Sequence, residues 1–288
     1  MKVAHAPCEL DQRSRAVAIG TFDGVHLGHR AVLEAALAAD LEATVVTFEP
    51  HPRIAFGYEV ELLTTLERRL ELIAEAGIAE TLVVEFDHDF SQQAPEEFVE
   101  RVLRPLDAEV VVAGGNFRFG QGRAGDLETL RELGIDARAV PLVEGVSSSR
   151  IRDLLRAGEI ERAAKLLGRP PEVDGTVVAG DARGGTLGFP TANLRLEPLL
   201  LVPAYGIYAG AAEDHRAAIS IGTNPHYGGA ERRVEAHLLD FEGDLYGRRL
   251  VVQLWRRLRD EGKFGSEQEL VAQIARDVEE TRGAEPPA

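Results

Sequence analysis

The sequence predicts a doubly wound α/β domain, followed by a small antiparallel β-barrel and a closing C-terminal helix. Three observations carry this expectation. Short apolar runs alternate with helical stretches through the first half of the chain. Two consecutive prolines, Pro170 and Pro171, then stop the pattern, because neither can continue a helix. Beyond them, strand-like runs follow one another with Gly, Pro, Asn and Asp between them.

Residues 17–19, 43–47, 82–84 and 110–113 are apolar runs suited to strands buried on both faces of a parallel sheet. Helical stretches lie between them, at 30–40, at 65–76 before Gly77, and between Pro95 and Pro105. Residues 148–167 read as helix with a break at Gly158. The domain boundary is expected after residue 168, giving domains 1–168 and 169–288. In the second domain, 173–178, 206–209, 217–221, 233–239 and 250–254 are strand-like. Residues 266–281 form the closing helix, with Ser266 and Glu269 spaced as a capping box. The tail from Gly283 is expected to fray.

Composition narrows the function classes. The chain has 288 residues and a net charge of −16, which repels nucleic acid. No apolar run approaches the roughly 20 residues that a membrane helix needs. The first residues lack the apolar centre of a secretory signal. Cys8 is the only cysteine, so no disulfide forms within the chain. A cytoplasmic protein with neither nucleic-acid nor membrane partners is expected. No element shows an apolar face that demands a partner, which leaves the oligomeric state open.

The first chemical motif is GTFDGVHLGH, residues 20–29. It runs from a strand through a glycine-punctuated turn into a helix. That geometry aims backbone amides and a helix N-terminus at an anionic ligand. Gly20, Gly24 and Gly28 allow close approach, with Phe22 and Asp23 in the turn. His26 and His29 straddle the helix start and can face one phosphate chain. Nucleotidyl transfer needs such prearranged donors, because charge builds on phosphate oxygens as pyrophosphate leaves. The plain alternative, two surface histidines at a turn, weakens where the motif joins strand to helix.

Two further clusters accompany it. Ser147, Ser148 and Ser149 open a helix, followed by Arg150 and Arg152. They suit β- and γ-phosphates, although serine also simply caps helices. Gly115 to Gly120 (GNFRFG) follows a strand, and its aromatics could equally pack onto the core.

In the second domain, five glycines between 175 and 188 form either a flap over a triphosphate or a plain β-turn. Pro190, Thr191 and Asn193 follow directly. Thr191 and Asn193 share one face of an extended segment, where their oxygens suit Mg²⁺ or an Asx-type turn. Glu235 and His237 share a face opposite Val234, Ala236 and Leu238. Glu235 is either an exposed strand glutamate or a carboxylate that takes a hydroxyl proton during phosphoryl transfer.

With these motifs in place, the chain resembles the bacterial bifunctional riboflavin kinase/FAD synthetases from about residue 17 to 277. The resemblance rests on GTFDGVHLGH (20–29), TFEPHP (47–52), GNFRFG (115–120) and SSSRIR (147–152). In the second half it rests on LGFPTANL (187–194), IGTNP (221–225) and VEAHLLDFEGDLYG (234–247). It implies a Rossmann-like nucleotidyltransferase domain that adenylylates FMN to FAD with release of pyrophosphate. It also implies a barrel domain that phosphorylates riboflavin to FMN. ATP is the co-substrate of both, with Mg²⁺ as cofactor.

Carried over residue by residue, His26, His29 and Asn116 form the adenylyl-transfer centre. Gly20, Phe22, Asp23, Gly24, Gly28, Ser148, Ser149 and Arg152 lie along its ATP. Phe56 and Phe119 fall at flavin-contacting positions. In the kinase, Gly180, Gly188 and Pro190 meet ATP, Thr191 and Asn193 hold the metal, and Glu235 is the base. The chain departs from the family pattern at Gly185, where arginine is usual. It departs again at His226-Tyr227, where Thr-Phe is typical, and at Ser149, where threonine is commoner. Two alternatives remain: a nucleotidyltransferase for another phosphorylated acceptor, which would lack the second-domain motifs, and a binding regulator without turnover.

Overall fold

Strands form where apolar residues can be covered on both sides. In the computed structural model, which describes residues 1–180, 183–223 and 232–287, the chain divides into two units. One comprises Met1–Val60 and Leu66–Ser147; the other comprises Glu61–Thr65 and Ser148–Ala288.

In the first unit, β1 (Lys2–Ala4), β2 (Arg15–Ile19), β3 (Glu42–Glu49), β4 (Glu80–Glu85), β5 (Ala108–Gly114) and β6 (Asp136–Val140) make one parallel sheet. Its helices are α1 (Leu27–Leu37), α2 (Pro52–Ala55), α3 (Leu66–Glu75), α4 (His88–Ser91), α5 (Pro95–Phe98) and α6 (Leu127–Glu132). The strand order is β1-β4-β3-β2-β5-β6. Every residue of β2 is buried. Val17 and Ile19 join the apolar cluster on one face, Ala16 and Ala18 the cluster on the other.

The order reverses beside β2, which has β3 on one side and β5 on the other. In open α/β sheets, ligands bind outside the carboxyl ends of the strands at such a point. The 20–29 motif follows β2 and the 115–120 motif follows β5, so both flank it.

The two edge strands, β1 and β6, go beyond the sequence expectation. Each leaves residues exposed, so neither shows a continuous apolar run. At the opposite end of β2, Arg15 is 1% exposed and uses all its donor groups. It bonds Glu80 through Nε and Nη2, and the carbonyls of Asp11, Arg13 and Leu106.

The second unit begins with α7 (Ser148–Arg156) and α8 (Ile160–Leu167), the expected helix pair broken at Gly158. Gly168, left-handed at φ 70°, ends α8. Then follow β7 (Glu172–Val178), α9 (Arg183–Thr186), β8 (Ala192–Leu196), β9 (Gly206–Ala212), β10 (His215–Thr223), β11 (Arg232–Leu238), β12 (Arg249–Arg259) and α10 (Glu267–Arg282). The strands close an antiparallel barrel in the order β10-β11-β8-β7-β12-β9.

The strand absent from the sequence expectation, β8, is the one that joins β7 to β11. It is short, and only Ala192 and Leu194 are buried, so its apolar signal is weak. The segment Glu61–Thr65 packs on this unit. Leu62 exchanges backbone bonds with Leu199 and Leu201, and Thr65 Oγ1 donates to Asp174 at 2.6 Å.

Two smaller expectations change. Ser266 does cap α10, accepting from Glu269 N, but the Glu269 carboxylate bonds Gly265 N rather than the Ser266 amide. The start of the tail is docked rather than frayed: Ala284 is 3% exposed beside Trp255, and Arg216 bonds its carbonyl. Asn224, Pro225 and the His226-Tyr227 departure lie outside the described residues. Among the described residues, no helix is long and apolar enough to cross a membrane.

Candidate active sites

The turn after β2 is compact and buried. Phe22, Asp23 and Val25 are each 1% exposed. Gly24 has φ 84°, and the non-glycine residues Phe22 and Val25 have φ 50° and 37°. Such left-handed conformations are strained for side-chain-bearing residues. The turn delivers the chain into α1 with His26 as N-cap. His29 N–H donates to His26 Nδ1 at 3.2 Å. A ring nitrogen that accepts carries no proton, so neutral His26 holds its proton on Nε2.

The two imidazoles stack at 3.6 Å between centroids, and Phe22 meets His29 edge-on at 5.4 Å. A Cβ on Gly20 would press on the Phe22 ring, and one on Gly28 on the His26 ring. The start of α1 and the two imidazole groups thus lie together, an arrangement that suits an anionic ligand.

Across the switch point, exposed Asn116 follows β5, its Oδ1 close to Gly114. Phe56 and Phe119, expected together near a flavin, sit differently. Phe56 is 55% exposed and Phe119 8%. They are the ends of a run of aromatic contacts through Phe86, Phe90 and Phe98. Phe117 stacks on Phe119, as a core-packing aromatic would.

Ser148, Ser149 and Arg152 fall in the other unit. Ser149 is exposed and Ser148 partly buried at the start of α7. Arg152 is 7% exposed, and its Nε donates to the Glu61 carbonyl at 2.6 Å.

The barrel carries the second site. Val234, Ala236 and Leu238 of β11 enter the core, so Glu235 and His237 face away from it. Glu235 pairs in register with Asn193 of β8 on one side and Ser220 of β10 on the other. All three line a cavity of about 750 Å³, which Leu270, Ile274 and Asp277 of α10 also line. The two readings of the Glu235 strand are therefore compatible: its apolar face is core and its polar face lines a cavity.

Thr191 Oγ1 donates to Glu235 Oε2 at 3.3 Å, and Arg233 Nη1 lies 3.8 Å from Glu235 Oε1. Asn193 Nδ2 donates to the Thr191 carbonyl at 3.4 Å. Hydroxyl, amide and carboxylate oxygens so gathered fit a hard cation that also takes phosphate oxygens. Among the described residues, no cluster of three or more His, Cys, Asp or Glu side chains offers a metal site made from those residues alone.

Gly180 backs this cluster. A Cβ there would come within 2.4 Å of the Asn193 side-chain amide, so the glycine makes room for it. Gly188, left-handed at φ 86°, and exposed Pro190 lie in the loop leading to β8. His237 Nδ1 bonds the Pro190 carbonyl at 2.7 Å. Gly185 has open space where a Cβ would project, so its lack of an arginine follows from no clash.

Several cavity residues escaped the sequence reading. Arg259 forks onto Asp277 of α10 at 2.7–3.2 Å, and Asp277 is 4% exposed. Burial pushes the carboxyl of Glu261, also in the cavity wall, above its usual range despite Arg259 nearby. In the first unit, Thr47 and Arg69 bond the carbonyl of Thr21. Thr47 opens the TFEPHP motif without its contact being legible, and Arg69 showed only as a charged residue inside the apolar stripe of α3.

A helix start at a parallel-sheet switch point and a polar row lining a barrel cavity fit a two-site transferase acting on nucleotides. Comparison with known proteins makes this specific. The family model for FAD synthetase matches residues 8–151, and that for riboflavin kinase matches residues 167–284. The chain is 35% identical to the bifunctional riboflavin kinase/FMN adenylyltransferase of Listeria monocytogenes, covering 96% of each chain. It is 37% identical to the protein of the same name from Escherichia coli K12, covering 95% of this chain and 93% of that one. A crystal structure described as a macrolide-efflux protein from Streptococcus pneumoniae shares the fold with a TM-score of 0.86 and 32% identity. It covers 97% of this chain and 98% of that one. The chain belongs to the bifunctional riboflavin kinase/FMN adenylyltransferase family.

Proposed function

We infer that the chain makes FAD in two ATP-dependent steps. In the first, the 5′-hydroxyl of riboflavin attacks the γ-phosphorus of ATP, giving FMN and ADP. In the second, the phosphate of FMN attacks the α-phosphorus of a second ATP, giving FAD and pyrophosphate. The register of Glu235 between Asn193 and Ser220, over a cavity large enough for a flavin, carries the kinase reading.

In that reading Glu235 orients the ribityl hydroxyl and accepts its proton as the oxygen attacks. Thr191 steadies the carboxylate through its hydroxyl. Thr191 and Asn193 also hold Mg²⁺, which when bound neutralises charge on the ATP phosphates. Gly180, Gly188 and Pro190 shape the loop along the nucleotide. The His237 bond to the Pro190 carbonyl supports that loop.

In adenylyl transfer, His26 and His29 donate to phosphate oxygens as charge accumulates there. The Nε2 proton of His26 suits that task, because Nδ1 is already committed to the His29 amide. Gly20, Phe22, Asp23, Gly24 and Gly28 lie along the ATP, and Asn116 contributes from beyond β5. Ser148, Ser149 and Arg152 act on the triphosphate, and Phe56 and Phe119 contact the flavin. Functionally, residues 1–168 are assigned to adenylyl transfer and residues 169–288 to the kinase. Both reactions take place in the cytoplasm, which supplies their ATP.

The test is direct. The protein is incubated with riboflavin, ATP and Mg²⁺, and the flavins are separated by chromatography. FMN should appear first and FAD afterwards. Unchanged riboflavin across several divalent metals and redox conditions would refute the reading. FMN consumed only with a different nucleotide would point to another nucleotidyltransferase specificity.

A further inference from the structure

We propose that Arg69 and Thr47 are positioning residues for adenylyl transfer, clamping the Thr21 carbonyl and so holding the strained turn that carries His26 and His29. The proposal rests on the reading of that turn as the ATP site.

The Thr21 carbonyl receives two side-chain donors. Arg69 Nη1 lies 2.9 Å away and Thr47 Oγ1 3.2 Å away. They come from different elements, α3 and β3. Two donors on one oxygen fix the plane of the peptide that enters Phe22. Phe22 is the first of the turn's left-handed residues, at φ 50°. Conformations of this kind persist only where the surroundings over-determine them, and the clamp is one such determinant.

Its effect passes to the imidazoles through a single ring. The Phe22 side chain is 1% exposed and stands edge-on to His29 at 5.4 Å. His29 in turn stacks on His26. Rotation of the 21–22 peptide therefore displaces the ring against which His29 rests. Neither clamp residue is placed to touch a ligand: Arg69 is 1% exposed and Thr47 is fully buried.

Arginine suits the position because its planar fork reaches several acceptors at once. Nη1 also approaches the Phe48 carbonyl at 3.5 Å, and Nη2 pairs with Glu49. Those contacts tie the turn to the end of β3. Arg15, buried in the same sheet, makes the contrast. Its bonds hold the segments around the amino end of β2, whereas those of Arg69 hold the chain beyond its carboxyl end.

Thr47→Val removes the hydroxyl donor at nearly constant shape, and Thr47→Ser keeps it. Arg69→Lys keeps the charge but loses the fork. Each full-length variant is assayed for FAD formation from supplied FMN at varied ATP, for FMN formation from riboflavin, and for thermal melting. In Thr47→Val, kcat/KM for ATP in FAD formation should fall about five- to tenfold, the scale of one hydrogen bond. KM for FMN and the rate of FMN formation should stay within twofold. Thr47→Ser should restore FAD formation to within twofold of the parent, and Arg69→Lys should resemble Thr47→Val.

The proposal is overturned if Thr47→Val leaves FAD kinetics within twofold. It is also overturned if both reactions fall together with the melting temperature, or if Thr47→Ser is as impaired as Thr47→Val. His29→Ala separates the two levels. If it leaves FAD formation intact, the reading of the ATP site fails. If it stops FAD formation while Thr47→Val changes nothing, only the clamp fails.

Discussion

In the parallel unit the candidate catalytic groups lie past the ends of β2 and β5, whereas in the barrel Asn193, Glu235 and Ser220 sit along the strands themselves. The first arrangement uses backbone amides and a helix start, which one contiguous stretch of chain can supply. The second brings three side chains together across three strands, which only register can supply. The two sites therefore fail in different ways. A strand-end site is disturbed through the conformation of its turn, and a strand-face site through loss or crowding of one side chain.

The largest effect is expected at His29. In His29→Ala, FAD formation should fall by about a hundredfold or more, the usual cost of losing one prearranged donor. FMN should accumulate from riboflavin at the parent rate, as read by chromatography. Glu235→Gln tests the other site. FMN formation should slow by about a hundredfold, at the lower end for a lost general base, while supplied FMN is still converted to FAD. If either change removed both activities in a folded protein, the assignment of the two activities to separate sites would be wrong.

Gly180→Ala sharpens the contrast with a smaller effect. The added Cβ would fall within 2.4 Å of the Asn193 amide. Crowding of about 1–3 kcal/mol should appear mainly as a raised KM for ATP in FMN formation. Steady-state assays at varied ATP check this, and FAD formation should be untouched.

The smallest effect is expected at Asp240, where the Arg282 guanidinium holds the carboxyl below the usual carboxylate range. The folded-state value is depressed, so its stabilisation is present above the unfolded value. It is lost as pH falls through the folded one. Asp240→Asn should therefore lower the melting temperature slightly at neutral pH. The gap from the parent should close on acidification and shrink with added salt.

How much was legible follows from the same contrast. The 20–29 motif could be placed at a strand–helix junction because its glycines, histidines and flanking apolar run are contiguous. The helix pair ending at Gly168 and the start of α10 at Ser266 were legible for the same reason, since caps and breakers act locally. Strand β8 was not, because five residues with two buried side chains carry too little period-2 signal. The docking of Ala284 depends on Arg216 and Trp255, far away in the chain.

By itself, the sequence determined the alternation of elements, the position of the two phosphate-type motifs at 20–29 and 147–152, and the polar face of the Glu235 strand. These depend on residues within a few positions of one another. The tertiary structure alone decided the strand order that puts two motifs beside one switch point. It alone set Glu235 opposite Asn193 and buried Arg69 under the Thr21 carbonyl. Those contacts join residues 42 and 48 positions apart, and no local propensity encodes a hydrogen bond across such a separation.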